Sequence, residues 1–272
     1  MSDPPAAPLS KSAARDLWDG LRRPDLWGRL GWLEIKRRYR RTTIGPFWNV
    51  ISLAVFVVTV GTVGAGLWNQ AASQYLPYLT SGMLVWMMIS ASANESCMLF
   101  VANTHLYRNG RFDFSTLAYS LVWRNFIVLL HHLVVYVVVV GILAPHLISP
   151  ATLLAIPGLA LLMINGVWVS LLLGMFCLRF RDVQQLVVSV IQISLFMTPV
   201  FWPADQLAAG TARSLFIHFN PLYHAVQVVR APLLGEAPAA ESYVAVILIA
   251  VIGSAVAFWA FTRFRKRVAY WS

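Results

Sequence analysis

The chain has 272 residues, of which 58% are hydrophobic and only 12% are charged, and its formal net charge is +10. Because a soluble domain carries about 25% charged residues, this composition excludes an ordinary water-soluble protein. The basic residues stand at the edges of apolar segments, where anionic lipid headgroups attract them. We therefore expect a membrane protein and no nucleic acid partner.

Apolar and basic residues are interspersed over residues 25–41, and this pattern predicts an amphipathic helix in the membrane interface. Its basic residues have two readings. One is plain anchoring to the membrane surface. The other is contact with a phosphate-bearing lipid substrate through Arg37, Arg38, Arg40 and Arg41, because a guanidinium group suits bidentate phosphate binding.

Long uncharged segments predict the membrane crossings. No Asp, Glu, Lys or Arg occurs between Arg41 and Glu95, or between Arg124 and Arg179. Each of these gaps is long enough for two helices of roughly 20 residues, and backbone groups in hydrocarbon must be paired within a helix. We expect an all-α membrane protein with six transmembrane helices, over residues 46–68, 78–102, 117–143, 151–178, 183–202 and 242–262.

The distribution of basic residues predicts the orientation. Of the 21 Lys and Arg residues, 18 fall before the first crossing, after the last, or in the connections after the second and fourth crossings. The other three are Arg124, Arg213 and Arg230. By the positive-inside rule this side is the cytoplasm, so both termini are cytoplasmic. We divide the chain into an N-terminal tail with the interface helix, residues 1–41, and a six-helix transmembrane domain, residues 42–272.

Four polar residues fall within or near the crossings, where burial is costly: Glu95, Arg124, His131 and His132. We expect Glu95 and Arg124 to pair with each other or to reach towards the cytoplasmic face. The two histidines are expected to hydrogen-bond to a neighbouring helix, without a proton relay.

The small and sulfur-containing residues of the crossings are expected to pack. Thr62 with Gly66, and Ser170 with Gly174, have the spacing that allows two helices to approach closely. The two cysteines are interpreted as small buried hydrophobes, with no disulfide and no metal site.

Aromatic residues make up 13% of the chain. Their faces suit sugar rings, so a subset could line a glycan path, and aromatic belts at the lipid interface are the alternative. The candidate lining residues are Phe47, Trp48, Phe56, Trp86, Phe196, Phe201 and Trp202.

Two short apolar runs, Leu215–Phe219 and Leu222–Leu234, lie between the fifth and sixth crossings. Each is too short to span a bilayer. We expect a re-entrant helical pair that dips into the outer leaflet, with amphipathic helices on the membrane surface as the alternative. Re-entrant backbone is stable only where protein or a water-filled cavity surrounds it, which favours a place at the exit of a pathway.

Common catalytic and nucleotide-binding motifs are absent from the sequence. The chain contains no G-x-x-x-x-G-K-[ST] motif, and neither H-E-x-x-H nor G-x-S-x-G occurs. We therefore expect no enzyme activity and no cofactor on this chain. If ATP drives the protein, a separate polypeptide hydrolyses it.

Four groups of residues, in order along the chain, carry a family resemblance. They are Arg38-Tyr39-Arg40-Arg41 with Gly45-Pro46-Phe47-Trp48, Arg179-Phe180-Arg181-Asp182, Thr198-Pro199-Val200-Phe201-Trp202-Pro203, and Asn220-Pro221-Leu222-Tyr223-His224 with Arg230-Ala231-Pro232-Leu233-Leu234-Gly235. From about residue 25 onward the chain resembles the permease subunit of bacterial O-antigen and related polysaccharide ABC transporters. It departs from the family pattern in having no Pro between Ala102 and Leu117 and in having Gln227 where an acid is common.

The resemblance implies a homodimer in the bacterial inner membrane, docked on a cytoplasmic ATP-binding subunit that holds ATP and Mg. An undecaprenyl-diphosphate-linked glycan would pass between the two permeases, its diphosphate captured by the four arginines of the interface helix. The loop after the second crossing would couple the permease to the ATPase, through Tyr107, Arg108, Arg111 and Phe112. The periplasmic exit would be bordered by Asn220, Tyr223, His224 and Arg230.

Other functions remain open at this point. A related permease could export a teichoic-acid-type polymer, a drug or a lipid, because substrate identity depends on channel width and on the partner subunit. A membrane enzyme acting on polyprenyl lipids is less favoured. It needs clustered acids or histidines at one membrane face, whereas Glu95, Asp113 and Asp182 have no recognisable spacing. A structural membrane scaffold is a third reading.

Overall fold

The structure, a computed structural model, describes residues 12–45, 47–108, 113–203 and 217–271. Every regular element in these four segments is a helix, as the sequence predicts. The chain opens with α1 (Ala13–Leu21), which is capped by the side chain of Ser12, and continues with α2 (Pro24–Tyr39), which begins with proline at its first position. Proline suits that position because its missing N–H would have no partner there anyway.

Five of the described helices are long and apolar enough to cross a membrane. Two short helices, α5 and α6, follow the second of these, and two 3₁₀ turns precede the fourth. The bounds of these elements are α3 (Phe47–Leu67), α4 (Ala72–Ser96), α5 (Leu99–Ala102), α6 (Thr104–Arg108), α7 (Phe114–Leu143), the turns Pro145–Leu147 and Pro150–Leu154, and α8 (Ala155–Arg179). They are followed by α9 (Val183–Met197), α10 (Pro221–Leu233) and α11 (Ala240–Trp271), and α11 is the fifth of the long apolar helices.

The fifth predicted crossing, residues 183–202, corresponds to a shorter helix. Here α9 covers Val183–Met197, which is apolar but has only 15 residues. The chain leaves the helix at Thr198, whose backbone is extended. Two prolines follow within five residues, and proline opposes continuation of a helix.

The second crossing, predicted over residues 78–102, corresponds to a helix that begins earlier. The helix α4 begins at Ala72 and contains Pro77. The reason is packing against α3. Tyr75 and Leu76 are already buried there, facing the backbone of glycines on α3.

The helix α4 lies at the centre of the helix bundle. Of its most apolar 18-residue window, 72% is buried inside the protein, compared with 28% for α3, α7 and α11. It packs against α3, α7, α8 and α10. More of α4 is therefore enclosed by protein than of any other long apolar helix that the structure describes.

The two pairs of small residues, Thr62 with Gly66 and Ser170 with Gly174, differ in how closely they are packed. Ser170 and Gly174 lie at the contact of α8 with α4, where Ser96 Oγ donates to Ser170 Oγ at 2.9 Å. A Cβ atom on Gly174 would meet the ring of Phe100 at 2.9 Å, so this spacing does serve close helix packing. A Cβ atom on Gly66 would have open space around it.

The helix α10 (Pro221–Leu233) is short but deeply placed. It has 13 residues and packs between α4, α8 and α11, with Val226, Val228 and Val229 at 1% exposure or less. It matches the second of the two predicted short apolar runs. The first run, Leu215–Phe219, lies partly outside the described residues.

We expect Gly158→Ala to destabilise the protein. A Cβ atom on Gly158 of α8 would clash with the backbone carbonyl of Val228 on α10, and overpacking of this kind costs about 1–3 kcal/mol. Gly141→Ala on α7 is the matched control, because nothing lies within 4 Å of its Cβ position. In detergent, the first variant should lower the melting temperature and the second should leave it unchanged or raise it. Equal melting temperatures would contradict the close contact.

Candidate functional site

Four charged side chains form a cluster near the end of the bundle where α2, α4 and α7 meet. Glu95 on α4 accepts from Arg38 Nη2 and from Arg124 Nη2, each at 2.6 Å. Arg124 on α7 also forms an ion pair with Glu34 on α2. The predicted pairing of Glu95 with Arg124 is therefore confirmed. We call Glu34, Arg38, Glu95 and Arg124 the charge cluster.

The charge cluster fixes the helix α2 against the bundle. Burial disfavours the charged form of Arg38, but the hydrogen bond and the negative charge of Glu95 outweigh burial and raise the pKa of Arg38 above its ordinary value. Gly31 supports the same contact, because a Cβ atom there would lie 2.9 Å from the Ser120 carbonyl oxygen of α7. An edge-to-face contact of Trp27 with Trp123 adds to it.

This pairing separates Arg38 from the other arginines predicted to bind lipid phosphate. Arg37, Arg40 and Arg41 are exposed at the end of α2 and just after it, whereas Arg38 reaches Glu95. Phosphate binding by these four residues stays a prediction.

A second, fully buried ion pair joins both ends of the chain to α7. Asp16 on α1 is 0% exposed and accepts from Arg265 Nη2 of α11 at 2.7 Å. Its carboxylate also accepts from the backbone N–H groups of Phe114 and Ser115 at 3.3 and 3.0 Å. These N–H groups open α7 and would otherwise lack partners, so Asp16 supplies the acceptor from a distant helix.

The residues predicted to couple the permease to an ATPase lie directly before the first turn of α7 in the chain. Tyr107 and Arg108 end α6. Arg111 and Phe112 lie outside the described residues. Their coupling role stays a prediction.

At the opposite end of the bundle, Arg230 joins two of the sequence motifs. Arg230 on α10 is 1% exposed, donates from Nη2 to the Pro199 carbonyl oxygen at 2.7 Å, and lies 4.3 Å from the ring centre of Tyr78. The Tyr78 hydroxyl lies 3.0 Å from the carbonyl oxygens of both Pro199 and Trp202. Asn220 donates to Thr198 Oγ1 at 3.0 Å. These contacts hold residues 198–202 against α4 and α10, and we call them the Arg230 cluster.

The remaining residues predicted at the exit lie close by. His224 Nε2 donates to the His218 carbonyl oxygen at 2.7 Å, and its Nδ1 lies 3.0 Å from Ser242 Oγ. Tyr223 accepts from Gln227 one turn along α10 at 3.1 Å. The structure thus brings all four predicted exit residues to one end of the bundle.

His131 differs from the expectation of a hydrogen bond to a neighbouring helix. The hydrogen bond of His131 runs to the Ile127 carbonyl oxygen of its own helix at 2.8 Å, and its ring contacts Phe47 of α3 edge to face. His132 is buried, at 3% exposure.

The aromatic residues proposed to line a path divide into two groups. Trp86 is 4% exposed and packs with the side chains of α3 and α4 in the core. The other six are exposed or half-buried on the surface of the single chain: Phe47, Trp48, Phe56, Phe196, Phe201 and Trp202. A lining role stays a prediction.

Within the described segments, no group of three or more His, Cys, Asp or Glu side chains is arranged to hold a metal ion. Cys97 and Cys177 are free and buried.

The sequence matches a known protein family over most of its length. Residues 26–234 match the family model of the ABC-2 type transporters. This match covers more than half of the chain, so the chain belongs to the ABC-2 type transporter family. The matched region includes the charge cluster and the Arg230 cluster.

Three relatives carry a more specific name. The chain is 25% identical over 193 residues to an O-antigen export system permease protein RfbA of Klebsiella pneumoniae, covering 70% of this chain and 72% of the relative. A second RfbA of the same species is 24% identical over 192 residues, and an RfbA of Myxococcus xanthus is 23% identical over 194 residues, with the same coverage. The protein is therefore a transport permease of the ABC-2 type, homologous to O-antigen export permeases.

We expect Glu95→Gln to destabilise the protein by about 1–3 kcal/mol, because it leaves a mostly buried guanidinium group with a weaker acceptor. Glu241→Gln is the matched control. Glu241 lies 3.7 Å from His218 with both side chains more than half exposed, and such surface pairs contribute about 0–1 kcal/mol. Thermal unfolding in detergent compares them, and equal stabilities would contradict the account of the charge cluster.

We expect Arg230→Gln to loosen residues 198–202, because it removes the charge-assisted bond to Pro199. A cysteine at Val200, which is 0% exposed, should react slowly with a thiol reagent in the parent and at least several-fold faster in the Arg230→Gln background. Gln227→Ala controls for a change elsewhere on α10, since within the described residues the side chain of Gln227 bonds to its neighbour Tyr223. Unchanged labelling in Arg230→Gln would show that Arg230 does not hold this segment.

Proposed function

We propose that this chain is the membrane-spanning subunit of an ATP-driven exporter of lipid-linked polysaccharide. The substrate would be of the O-antigen type, with its glycan on undecaprenyl diphosphate, and the direction would be from cytoplasm to periplasm. The observation that carries this proposal is the family membership, together with three relatives named as O-antigen export permeases.

The proposed topology has six crossings in the inner membrane and both termini in the cytoplasm. The five long apolar helices supply five crossings, and α9 with residues 198–202 after it supplies the remaining one. The positive-inside distribution of Lys and Arg supports the orientation. In this topology α2 lies in the cytoplasmic interface, and α10 is a re-entrant helix entering from the periplasmic side. The burial of α10 supports the last point, because re-entrant backbone needs protein around it.

The proposed channel forms between two copies of the chain. A hydrophilic polymer cannot cross hydrocarbon, so it needs a continuous conduit. No residue of α9 is buried in the single chain, and Phe47, Phe56 and Phe196 are also exposed. A second copy would cover part of this surface and leave aromatic faces towards the glycan. Weak repeated stacking on such faces suits movement, because tight binding at one point would stall the polymer.

Substrate capture would use the exposed arginines at the end of α2 and just after it. The charge cluster holds α2 on α7, and Arg37, Arg40 and Arg41 then project at the level of the phosphate groups. Guanidinium groups bind diphosphate through paired charge-assisted hydrogen bonds. In this proposal Arg38 positions α2 through its contact with Glu95, while Arg37, Arg40 and Arg41 bind the diphosphate.

The energy would come from the cytoplasmic ATP-binding subunit, which holds ATP and Mg. Its docking would involve the segment from Tyr107 to Phe112. This segment leads directly into α7, whose first turn is bound by Asp16 and, through it, by Arg265. Movement of the docking segment would therefore reach α1, α7 and α11 together.

The direct test is deletion of the gene, followed by location of the lipid-linked polymer. We expect the polymer to be synthesised normally but to accumulate on the cytoplasmic side, and the intact gene to restore it to the cell surface. Polymer that is never made would indicate an enzyme or scaffold of synthesis. Unchanged surface polymer would indicate another substrate.

Complementation with variants tests the capture step in the same strain. Arg40→Gln with Arg41→Gln should restore export at least tenfold less well than the parent, since each lost charge-assisted contact costs about 1.5–3 kcal/mol. Arg263→Gln with Arg267→Gln removes the same charge from exposed positions on α11 and should restore export fully. Equal export by both double variants at equal expression would reject diphosphate capture by this segment.

A further inference from the structure

An apolar cavity lies between the α1–α2 pair and the helices α7, α8 and α11. Its volume is about 400 Å³, within the range of roughly 300–1,000 Å³ that is usual for small-molecule sites. The described wall consists of apolar and aromatic side chains, with the hydroxyl groups of Tyr119 and Ser254 as its polar members. An apolar chain therefore fits this cavity better than a polar ligand does.

The turn between α1 and α2 brings two cations to the edge of this cavity. Leu21 and Trp27 line the cavity, and Trp27 Nε1 donates to the Leu21 carbonyl oxygen at 3.4 Å. Between them in the chain stand Arg22 and Arg23, both exposed. The guanidinium group of Arg22 lies 4.4 Å from the ring centre of Trp18. The turn thus places two positive charges beside an apolar cavity.

The other side of the cavity continues onto exposed apolar surface. Ile164 of α8 and Phe258 of α11 line the cavity and are 51% and 43% exposed. In the proposed topology these faces meet the acyl region of the membrane, so a lipid chain can enter the cavity sideways while its headgroup stays at the interface.

We propose that this cavity binds one acyl chain of an anionic phospholipid, while Arg22 and Arg23 bind the phosphate group of its headgroup. Charge complementarity favours an anionic lipid, because each cation near the surface adds to the attraction and guanidinium groups bind phosphate well. Trp18, whose ring contacts Arg22, also suits this position, because tryptophan is enriched at the headgroup level of membranes. The inference rests on the membrane placement of the proposed function but does not depend on which substrate is exported.

A bound lipid here would also support the buried ion pair at Asp16. Leu17 lines the cavity and its carbonyl oxygen accepts from the Tyr119 hydroxyl of α7 at 3.1 Å. The lipid chain would therefore lie against α1 beside Leu17. The preceding residue, Asp16, accepts from the first N–H groups of α7.

The test measures lipid retention by the purified full-length chain in detergent, using native mass spectrometry and melting temperature. The probes are phosphatidylglycerol and phosphatidylcholine with identical acyl chains. We expect one phosphatidylglycerol per chain to be retained and to raise the melting temperature, with phosphatidylcholine retained far less. Equal retention of the two lipids would overturn the proposal.

Two pairs of variants separate the headgroup from the acyl chain. Arg22→Gln with Arg23→Gln should lower the affinity for phosphatidylglycerol by about thirtyfold, while Arg263→Gln with Arg267→Gln should not. Ser254→Phe fills the cavity and should abolish retention. Its neighbour Ala255 is exposed and does not line the cavity, so Ala255→Phe should keep it.

Several results would contradict this assignment. Parental affinity in Ser254→Phe, or in Arg22→Gln with Arg23→Gln, would overturn it. Because both arginines are exposed, their variant decides the question even where Ser254→Phe does not fold. Displacement of phosphatidylglycerol by polyprenyl phosphate would assign the cavity to the lipid of the substrate instead. Normal polymer export without lipid selectivity would overturn this inference alone and leave the proposed function standing.

Discussion

A guanidinium group in the low-dielectric interior of a protein is costly unless it is paired, and three such groups organise this chain. Arg124 binds Glu95 and Glu34, Arg265 binds Asp16, and Arg230 binds the Pro199 carbonyl oxygen and the Tyr78 ring. Each joins helices that are distant in the sequence. Apolar packing alone distinguishes poorly between alternative helix arrangements in lipid, because lipid tails are as apolar as the helices. These polar contacts therefore add much of the specificity of the fold.

The central helix α4 carries parts of two of these contacts. Glu95 lies near one end of α4 and Tyr78 near the other, about 25 Å apart at a rise of about 1.5 Å per residue. In the proposed mechanism this helix connects the cytoplasmic face, where the substrate is captured and the ATPase docks, to the segment at the periplasmic exit. In this mechanism a change at the charge cluster or at the Arg230 cluster shifts α4 and so alters the contacts of the other cluster.

Much of this architecture could be predicted from the sequence, because charge is excluded from hydrocarbon. The uncharged segments locate the five long helices, and the pairing of Glu95 with Arg124 follows from their shared depth near one face. The pair of Asp16 with Arg265 was not predicted, since nothing in the sequence shows that α1 and α11 meet. One signal for the role of Asp16 is the start of α7, because the first N–H groups of that helix need an acceptor.

Other failures have similar physical causes. The early start of α4 could not be predicted, because Pro77 disfavours a helix interior, whereas packing of Tyr75 against α3 accompanies a helix that continues through Pro77. The burial of Trp86 could not be predicted either, because residue type alone does not distinguish a core aromatic from a surface one. The length of α9 could not be read from its apolar pattern, because the apolar run continues beyond Met197 while the helix does not.

The central claim is that this chain forms the membrane conduit for a lipid-linked glycan driven by a separate ATPase. It is tested most directly in inverted membrane vesicles that contain the chain, its ATP-binding partner and a labelled polyprenyl-diphosphate-linked glycan. The measured quantity is the fraction of glycan that is protected from an added glycosidase. The account predicts that ATP raises this fraction only when both proteins are present. A rise that is independent of the chain, or no rise with both proteins and ATP present, would contradict it.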